Sequence, residues 1–546
     1  MGPASDVRAD AAPWWRDAVV YQVYPRSYAD TNGDGVGDLA GIIAHLDHLE
    51  WLGVDTIWSS PVTVSPNADW GYDVADFCDV DPALGTLADL DTLVAAADAR
   101  GIRVLLDLVP NHTSIEHPWF VDARASRDAP HRDWYVWADP APDGGPPNNW
   151  VSTFLGPGWE LDDTTGQYFL HSFLPEQPDL NWWNEGVRDE FDRILRFWFD
   201  RGVAGFRIDV AHMVVKDALL RDNPPATEQD YWMEQLRGQR QEFNSCRPEV
   251  HDVYRRWRAI ADTYDPPRVL LGETHVFDVE TLASFYGDDD ELGLAFNFMF
   301  MHDAFDPAKL RAVVAETEAA LPTGAWPVWA MSNHDISRFP TRWCAGDDAR
   351  ARCALVLLLT LRGTPVLYYG DELGLPDTVV PDDRLRDPVT IAYRGVIDRD
   401  GARTPMPWAD APGGGFTDPA VEPWLPFGDL AAHNVADQRA DAGSTLHLVR
   451  DLLALRRASR DLRRGAYADL GATGACWSFR RGDRVQVVLN LGADPVTVPV
   501  ALAGARGVVS VAVASDRVGE GDAVGESVEV EGGRAVVLVA GAGAED

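Results

Sequence analysis

The stretch Gly205-Phe206-Arg207-Ile208-Asp209-Val210-Ala211-His212 sets an Arg and an Asp two residues apart at the end of an apolar run. Side chains alternate faces along a strand, so Arg207 and Asp209 point the same way. A guanidinium there is expected to hold the Asp209 carboxyl ionised by lowering its pKa. A carboxylate fixed at a strand end can act as a covalent nucleophile. Taken alone, the pair fits a structural ion pair equally well. The company it keeps decides. Other apolar runs also finish in chemically capable residues: Asp107-Leu108-Val109-Pro110-Asn111-His112, Glu273, and Ser332-Asn333-His334-Asp335. Breaking a glycosidic bond takes two carboxyls, one as nucleophile and one as proton donor. Crowding by Asp209 and Asp335 would raise the pKa of Glu273 and suit it to the donor role.

Such residues must be brought together by the elements that carry them. Strand-like runs occur at Val19–Tyr24, Thr56–Trp58, Val104–Val109, Gly205–Asp209, Val269–Glu273, Leu294–Phe298, Val328–Met331 and Pro365–Tyr369, with helical periodicity between them. Alternating β and α elements imply a parallel sheet. Eight repeats imply an α/β fold of the (β/α)8 TIM-barrel type, with reactive residues at the C-terminal strand ends. About 70 residues after the third run are rich in Pro, Gly, Asp and aromatics, too long for a structureless loop. Residues 113–182 are therefore expected to form a small inserted domain, with the barrel at 14–112 and 183–460. From 461 to 546 short β runs alternate with turn signals, which predicts a C-terminal antiparallel β-sandwich. The Gly, Ala and acidic tail from Ala540 is expected to fray.

The totals narrow the partners. Lys plus Arg is 47 and Asp plus Glu is 86, a net charge of −39. That field disfavours nucleic acid and anionic membranes and suits a neutral small-molecule substrate. The five cysteines show no paired spacing and read as reduced core thiols. No signal peptide is apparent at the N-terminus and no apolar run is long enough to span a membrane. A cytoplasmic location and a monomer or homodimer are expected.

A second site precedes the first. Asp30-Thr31-Asn32-Gly33-Asp34-Gly35-Val36-Gly37-Asp38 alternates oxygen donors with glycines that permit tight curvature. The spacing predicts a structural Ca²⁺ held by Asp30, Asn32, Asp34, Asp38 and the Val36 carbonyl. It is not a complete EF-hand, because position twelve is Gly41. An Asx-rich turn is the plainer alternative.

Asp107–His112, Gly205–His212, Leu270–Thr274 and Met331–Asp335 resemble, in order, the four signature regions of the α-amylase superfamily (glycoside hydrolase family 13). Gln177-Pro178-Asp179-Leu180-Asn181 resembles the fifth. Trp15–Ser27 and Arg403-Thr404-Pro405-Met406-Pro407-Trp408 resemble the oligosaccharide α-glucosidase branch. The resemblance implies Asp209 as nucleophile, Glu273 as acid/base and Asp335 as transition-state stabiliser. It implies sugar contacts from Tyr72, Asp73, His112, Arg207, His334 and Arg399, and pocket walls from Phe154, Phe173 and Gln177. An Asp73–Arg399 pair is expected to close one end of the pocket and leave room for a single terminal glucose. Val210, which would touch the second sugar, resembles α-1,6-preferring relatives. Arg221-Asp222-Asn223-Pro224-Pro225 resembles a loop of enzymes that prefer short α-1,4 substrates. The expected activity is retaining exo-hydrolysis of terminal α-linked glucose, α-1,4 favoured and α-1,6 accepted, with some transglycosylation. The alternatives are a transglycosylase or sugar isomerase using the same residues, and a non-catalytic barrel subunit; an intact triad and no membrane span argue against the latter.

Overall fold

The computed structural model describes residues 12–393, 395, 398–502 and 508–541. Residues 1–11, and the part of the tail beyond Gly541 expected to fray, lie outside them. Eight parallel strands, β1 (Val20–Val23), β2 (Thr56–Ser59), β3 (Arg103–Leu108), β4 (Gly205–Ile208), β5 (Val269–Gly272), β6 (Leu294–Ala295), β7 (Val328–Ala330) and β8 (Thr364–Tyr368), form one sheet. Its order is β6-β5-β4-β3-β2-β1-β8-β7. A parallel bridge from Phe296 to Val328 joins the two ends, so the sheet closes as the expected barrel.

Each strand is apolar on both faces because each face is covered. Val20, Trp58, Leu105, Leu271, Val328 and Val366 pack together inside the barrel. Their neighbours Tyr21, Ile57, Leu106, Leu270 and Leu367 pack outward in the main core beneath the helices. This is why the runs read as continuous rather than alternating. Helix Glu185–Asp200 shows the complementary pattern. Asn184 caps it by accepting from Gly186 N, and Val187, Phe191, Ile194, Leu195 and Trp198 line its buried stripe.

The sixth strand is shorter than expected. It ends at Ala295, and a helix begins at Phe298 because the Asn297 side chain accepts from Phe300 N. Capping outcompetes continuation of an apolar run here.

Two further units flank the barrel mouth and its side. Trp137–Ala138, Gln167–Leu170 and Trp159–Asp162 form a three-stranded antiparallel sheet after β3. Phe120, Trp137 and Phe169 stack at its centre. The antiparallel bridge His112–Asp179 ties the return of this segment to the chain just past β3, and Tyr135–Leu180 ties it to the segment's own first half. At the C-terminus, strands Tyr467–Thr473, Cys476–Arg481, Val485–Asn490, Arg534–Ala540, Val509–Ala514 and Ala523–Val524 form a six-stranded sheet in that order. The pair Val496–Pro499 and Ser527–Val530 packs over one face of it through Val496, Val498 and Val528, giving the expected sandwich. Buried Arg481 fastens it to the barrel by donating to the carbonyls of Thr360 (2.5 Å) and Leu462 (2.8 Å).

Candidate active site

β4 sits between β3 and β5, with Asp107 level with Arg207 and Leu271 level with Arg207 on the other side. Arg207 therefore belongs to the inward layer, buried at the top of the barrel. The ladder runs on just past the strand ends. Asp209 N donates to Leu108 O (2.8 Å) and Glu273 N to Ile208 O (2.9 Å). These bonds fix the backbones of both carboxyl-bearing residues at the rim. The start of β4 needs Gly205: a Cβ there would lie 2.2 Å from the Val269 carbonyl oxygen. The turn after Asp209 is strained. Val210 has φ +36°, a left-handed conformation unfavourable for a β-branched residue. Its N–H donates to Glu273 Oε2 (2.9 Å), so the strained turn aims the carboxyl of the next strand.

One guanidinium holds three carboxyls. Arg207 Nη1 contacts Asp107 Oδ1 at 2.8 Å and Asp209 Oδ1 at 2.7 Å, and Nη2 contacts Glu273 Oε2 at 2.7 Å. One positive charge is shared among three buried carboxyls. Burial raises Asp107 to about 6, and burial also pushes Asp209 and Glu273 upward, with Arg207 opposing in each case. Arg207 lowers Asp209 as expected, but the net shift is upward, because desolvation outweighs a cation shared three ways. Glu273 moves in the expected direction, but burial leads and Asp335 adds to it.

Asp335 differs. Arg399 Nη1 (3.1 Å) and Arg403 Nη2 (2.9 Å) both reach its Oδ1, and His334 Nε2 lies 3.1 Å from Oδ2. Although burial pushes the other way, His334 and the two guanidiniums hold Asp335 well below the usual carboxylate range. The acids of the site thus divide into three that burial pushes upward and one, Asp335, that its neighbours hold down.

These residues line a cavity of about 620 Å³. It brings together Asp209, Glu273 and Asp335 with Tyr72, His112, Val210 and Arg399, and with Phe154, Phe173 and Gln177 from the segment after β3. Phe154, Phe173, Val210 and Met213 form an apolar patch on its wall. His112 and Gln177 hydrogen-bond to each other across 3.0 Å. Arg207 and His334 are not in the lining but lie beneath it. His334 stacks on Tyr72 at 5.3 Å and contacts the Tyr72 hydroxyl at 2.6 Å, so it positions the floor.

Asp73 is not where it was expected. Its side chain is fully buried and accepts from Ser65 Oγ (2.7 Å), Ala68 N (2.9 Å) and Asp69 N (3.0 Å). The partner of Arg399 is Asp69, at 2.9 Å, together with Asp387. Trp70 (φ +49°) and Gly71 (φ +107°) reverse the chain between the two acids, turning Asp69 to the cavity and Asp73 to backbone N–H groups. Asp69, Asp387 and Arg403 are the site residues that sequence reasoning gave no role, and Asp107 was singled out only as a chemically capable residue near a strand end. Two acids four apart around Gly71-Tyr72, and the Arg of Arg403-Thr404-Pro405, were the available signals.

In the loop 30–38 the Asp30 carboxyl accepts from Asn32 N, Gly33 N and Gly35 N, Asn32 Oδ1 from Asp34 N, and Asp34 Oδ1 from Val36 N. Asp38 caps the following helix through Gly41 N and also binds Thr31. The donors are hard oxygens of the type Ca²⁺ takes. Among the described residues, however, no three His, Cys, Asp or Glu side chains converge as a metal centre. Any ion here would rest on Asn32 and the Val36 carbonyl as much as on carboxylates.

A (β/α)8 barrel with carboxyls gathered at its C-terminal strand ends is the frame of a glycoside hydrolase. Residues 22–465 match the family model "Alpha amylase, catalytic domain", and the chain belongs to the α-amylase family. It is 41% identical over 507 residues to a probable alpha-glucosidase of Rhizobium meliloti, covering 89% of this chain and 90% of the other. It is 38% identical to the oligo-1,6-glucosidase of Heyndrickxia coagulans, covering 81% and 85%. Among solved structures, an alpha-glucosyl transfer enzyme, XgtA, superposes with a TM-score of 0.90 at 41% identity, covering 97% of this chain and all of the other. The trehalulose synthase MutB from Pseudomonas mesoacidophila superposes with a TM-score of 0.87 at 32% identity, over 97% and 100%.

Proposed function

We propose that the protein is a retaining, exo-acting α-glucosidase that releases terminal glucose from short α-linked oligosaccharides. The observation that carries this is Asp209 and Glu273 sharing Arg207 beside an ionised Asp335 in one cavity. Asp209 attacks the anomeric carbon while Glu273 protonates the leaving oxygen. Glu273 then deprotonates the water that releases the sugar, and Asp335 binds hydroxyls of the distorted ring. The Arg399–Asp69 ion pair links the segment after β8 to the loop after β2 and supports a pocket closed behind one glucose. The α-glucosidase names of the relatives support the same reading. Incubation with maltose, isomaltose and sucrose, followed by NMR, tests it. Glucose appearing first as the α-anomer is expected; β-glucose would overturn retention.

A second reading, transfer of glucose to a sugar acceptor or isomerisation, is consistent with the XgtA and MutB likenesses. Dominant trehalose, isomaltulose or transfer products in the same incubation would select it. We also propose a structural Ca²⁺ at Asp30, Asn32, Asp34, Asp38 and the Val36 carbonyl, supported by the alternating oxygens and by Gly33 and Gly35 at positive φ. A melting temperature indifferent to chelator and to added Ca²⁺ would remove it. No described helix is long and apolar enough to cross a membrane. A cytoplasmic location, which we also propose, is supported by five free cysteines.

A further inference from the structure

Residues 231–241 and the segment after β7 each put an arginine on the wall of the cavity, Arg237 and Arg342. Neither forms an ion pair among the described residues. Arg237 Nη1 donates to Gln241 Oε1 (3.1 Å) and Nη2 to Thr153 O (3.2 Å). Arg342 Nε donates to Ser337 O (3.2 Å) and Nη2 to Met331 O (2.6 Å). Buried Arg237 Nε and Gln241 Nε2 have no hydrogen-bond partner. Tyr231 lies within electrostatic reach of both guanidiniums, and its hydroxyl is 3.2 Å from His302 Nδ1.

Carboxylates reach the two cations only through space: Glu234, on the helix Trp232–Arg237, acts on Arg237, and Asp377 and Asp371 act on Arg342, whose hydrogen bonds go elsewhere. Asp377 is engaged by Ser337 and by Arg338 N. His275 and His302 are held neutral by burial. Burial pulls both guanidiniums down to about 10, the direction taken by a cation short of counter-charge. Carbonyl contacts alone also fit a structural role, as at Arg481; Arg237 and Arg342 differ in that both stand on the cavity wall, and Arg237 Nε is left without a partner there. Elsewhere in the site the arginines are spent: Arg207, Arg399 and Arg403 each hold carboxylates.

We propose that Arg237 and Arg342 recognise an oxyanion on the aglycone, so that anionic α-glucosides are the favoured substrate class. The planar fork of a guanidinium matches carboxylate and phosphate oxygens, and such charge-assisted bonds are the strong ones. Exposed Trp232, beside them on the lining, offers a flat face to the same half of the substrate. This inference rests on the glucosidase reading above.

Two matched pairs test it. Maltobionate and maltitol differ by a carboxylate in place of a hydroxymethyl group; trehalose 6-phosphate and trehalose differ by a phosphate. A kcat/KM ratio of about 10 or more in favour of the anion, in at least one pair, is expected for one charge-assisted contact. The ratio should fall in Arg237→Gln and recover partly in Arg237→Lys. Arg342 also holds main-chain carbonyls, so Arg342→Lys is compared only after its melting temperature matches the parent. Ratios at or below one in both pairs, or a ratio unchanged by Arg237→Gln, would overturn the proposal while hydrolysis of maltose persists. No glucose from maltose would instead overturn the glucosidase reading itself.

Discussion

Asp209 and Glu273 hang on the same guanidinium, yet their proposed roles require opposite protonation. Three buried carboxyls share the one Arg207 guanidinium, and the Val210 N–H and Arg207 both grip Glu273 Oε2. Asp209→Asn removes the nucleophile with little change in volume, and Glu273→Gln removes the transferable proton. Each is expected to lower kcat by at least ~10³-fold, measured on maltose. Near-parental turnover by either variant would sink the assignment. The raised Glu273 pKa also fixes a pH dependence. An acid catalyst acts while protonated, so activity is retained below its raised pKa and lost as pH rises through it. The alkaline limb of kcat/KM should therefore lie above the ordinary Glu range of about 4.3. Residual activity in Glu273→Gln should lack that limb; an unchanged limb would mean another group supplies the proton.

At the scale of the element, the loop after β2 decides which acid serves the pocket. The left-handed pair Trp70 and Gly71 turns Asp69 toward Arg399 and Asp73 toward three hydrogen-bond donors. The two acids should therefore fail differently. Asp69→Asn breaks the charged link to Arg399 and should lower kcat/KM on maltose by ~10-fold or more, through lost positioning. Asp73→Asn weakens charge-assisted bonds that hold the loop together. It should cost about 1–3 kcal/mol, read as a lower melting temperature. If Asp73→Asn lost activity at unchanged stability and Asp69→Asn did not, the placement of the loop would be wrong.

At the scale of the whole molecule, the segment after β3 and the ion pairs of Arg399 shape access, while the C-terminal sheet braces the barrel from the side. A pocket closed behind one glucose cannot thread a polymer. Short α-glucosides should be hydrolysed well and soluble starch poorly, and from its ends. Rapid appearance of mixed internal fragments by chromatography would show an open cleft. Arg481 joins the sheet to the barrel through buried carbonyls. Arg481→Met leaves these acceptors unpaired at about 1–3 kcal/mol each, which should lower the melting temperature by several degrees.

The barrel and the three carboxyls were legible in the chain because both follow from local rules. Continuous apolar runs flanked by helical periodicity mean strands buried on two faces, and their polar last residues must meet at one rim of a closed sheet. Arg207 and Asp209 share a side because the strand period is two. Three things were decided only in the folded molecule. The end of β6 depended on a competition between an apolar run and the Asn297 cap, which sequence does not weigh. The choice of Asp69 over Asp73 depended on the direction of a turn, and two acids flanking Gly71-Tyr72 look alike until its φ angles are known. The direction of the Asp209 pKa shift depended on how deeply it is buried and how many carboxyls share Arg207, because desolvation is a property of the surroundings and not of the residue.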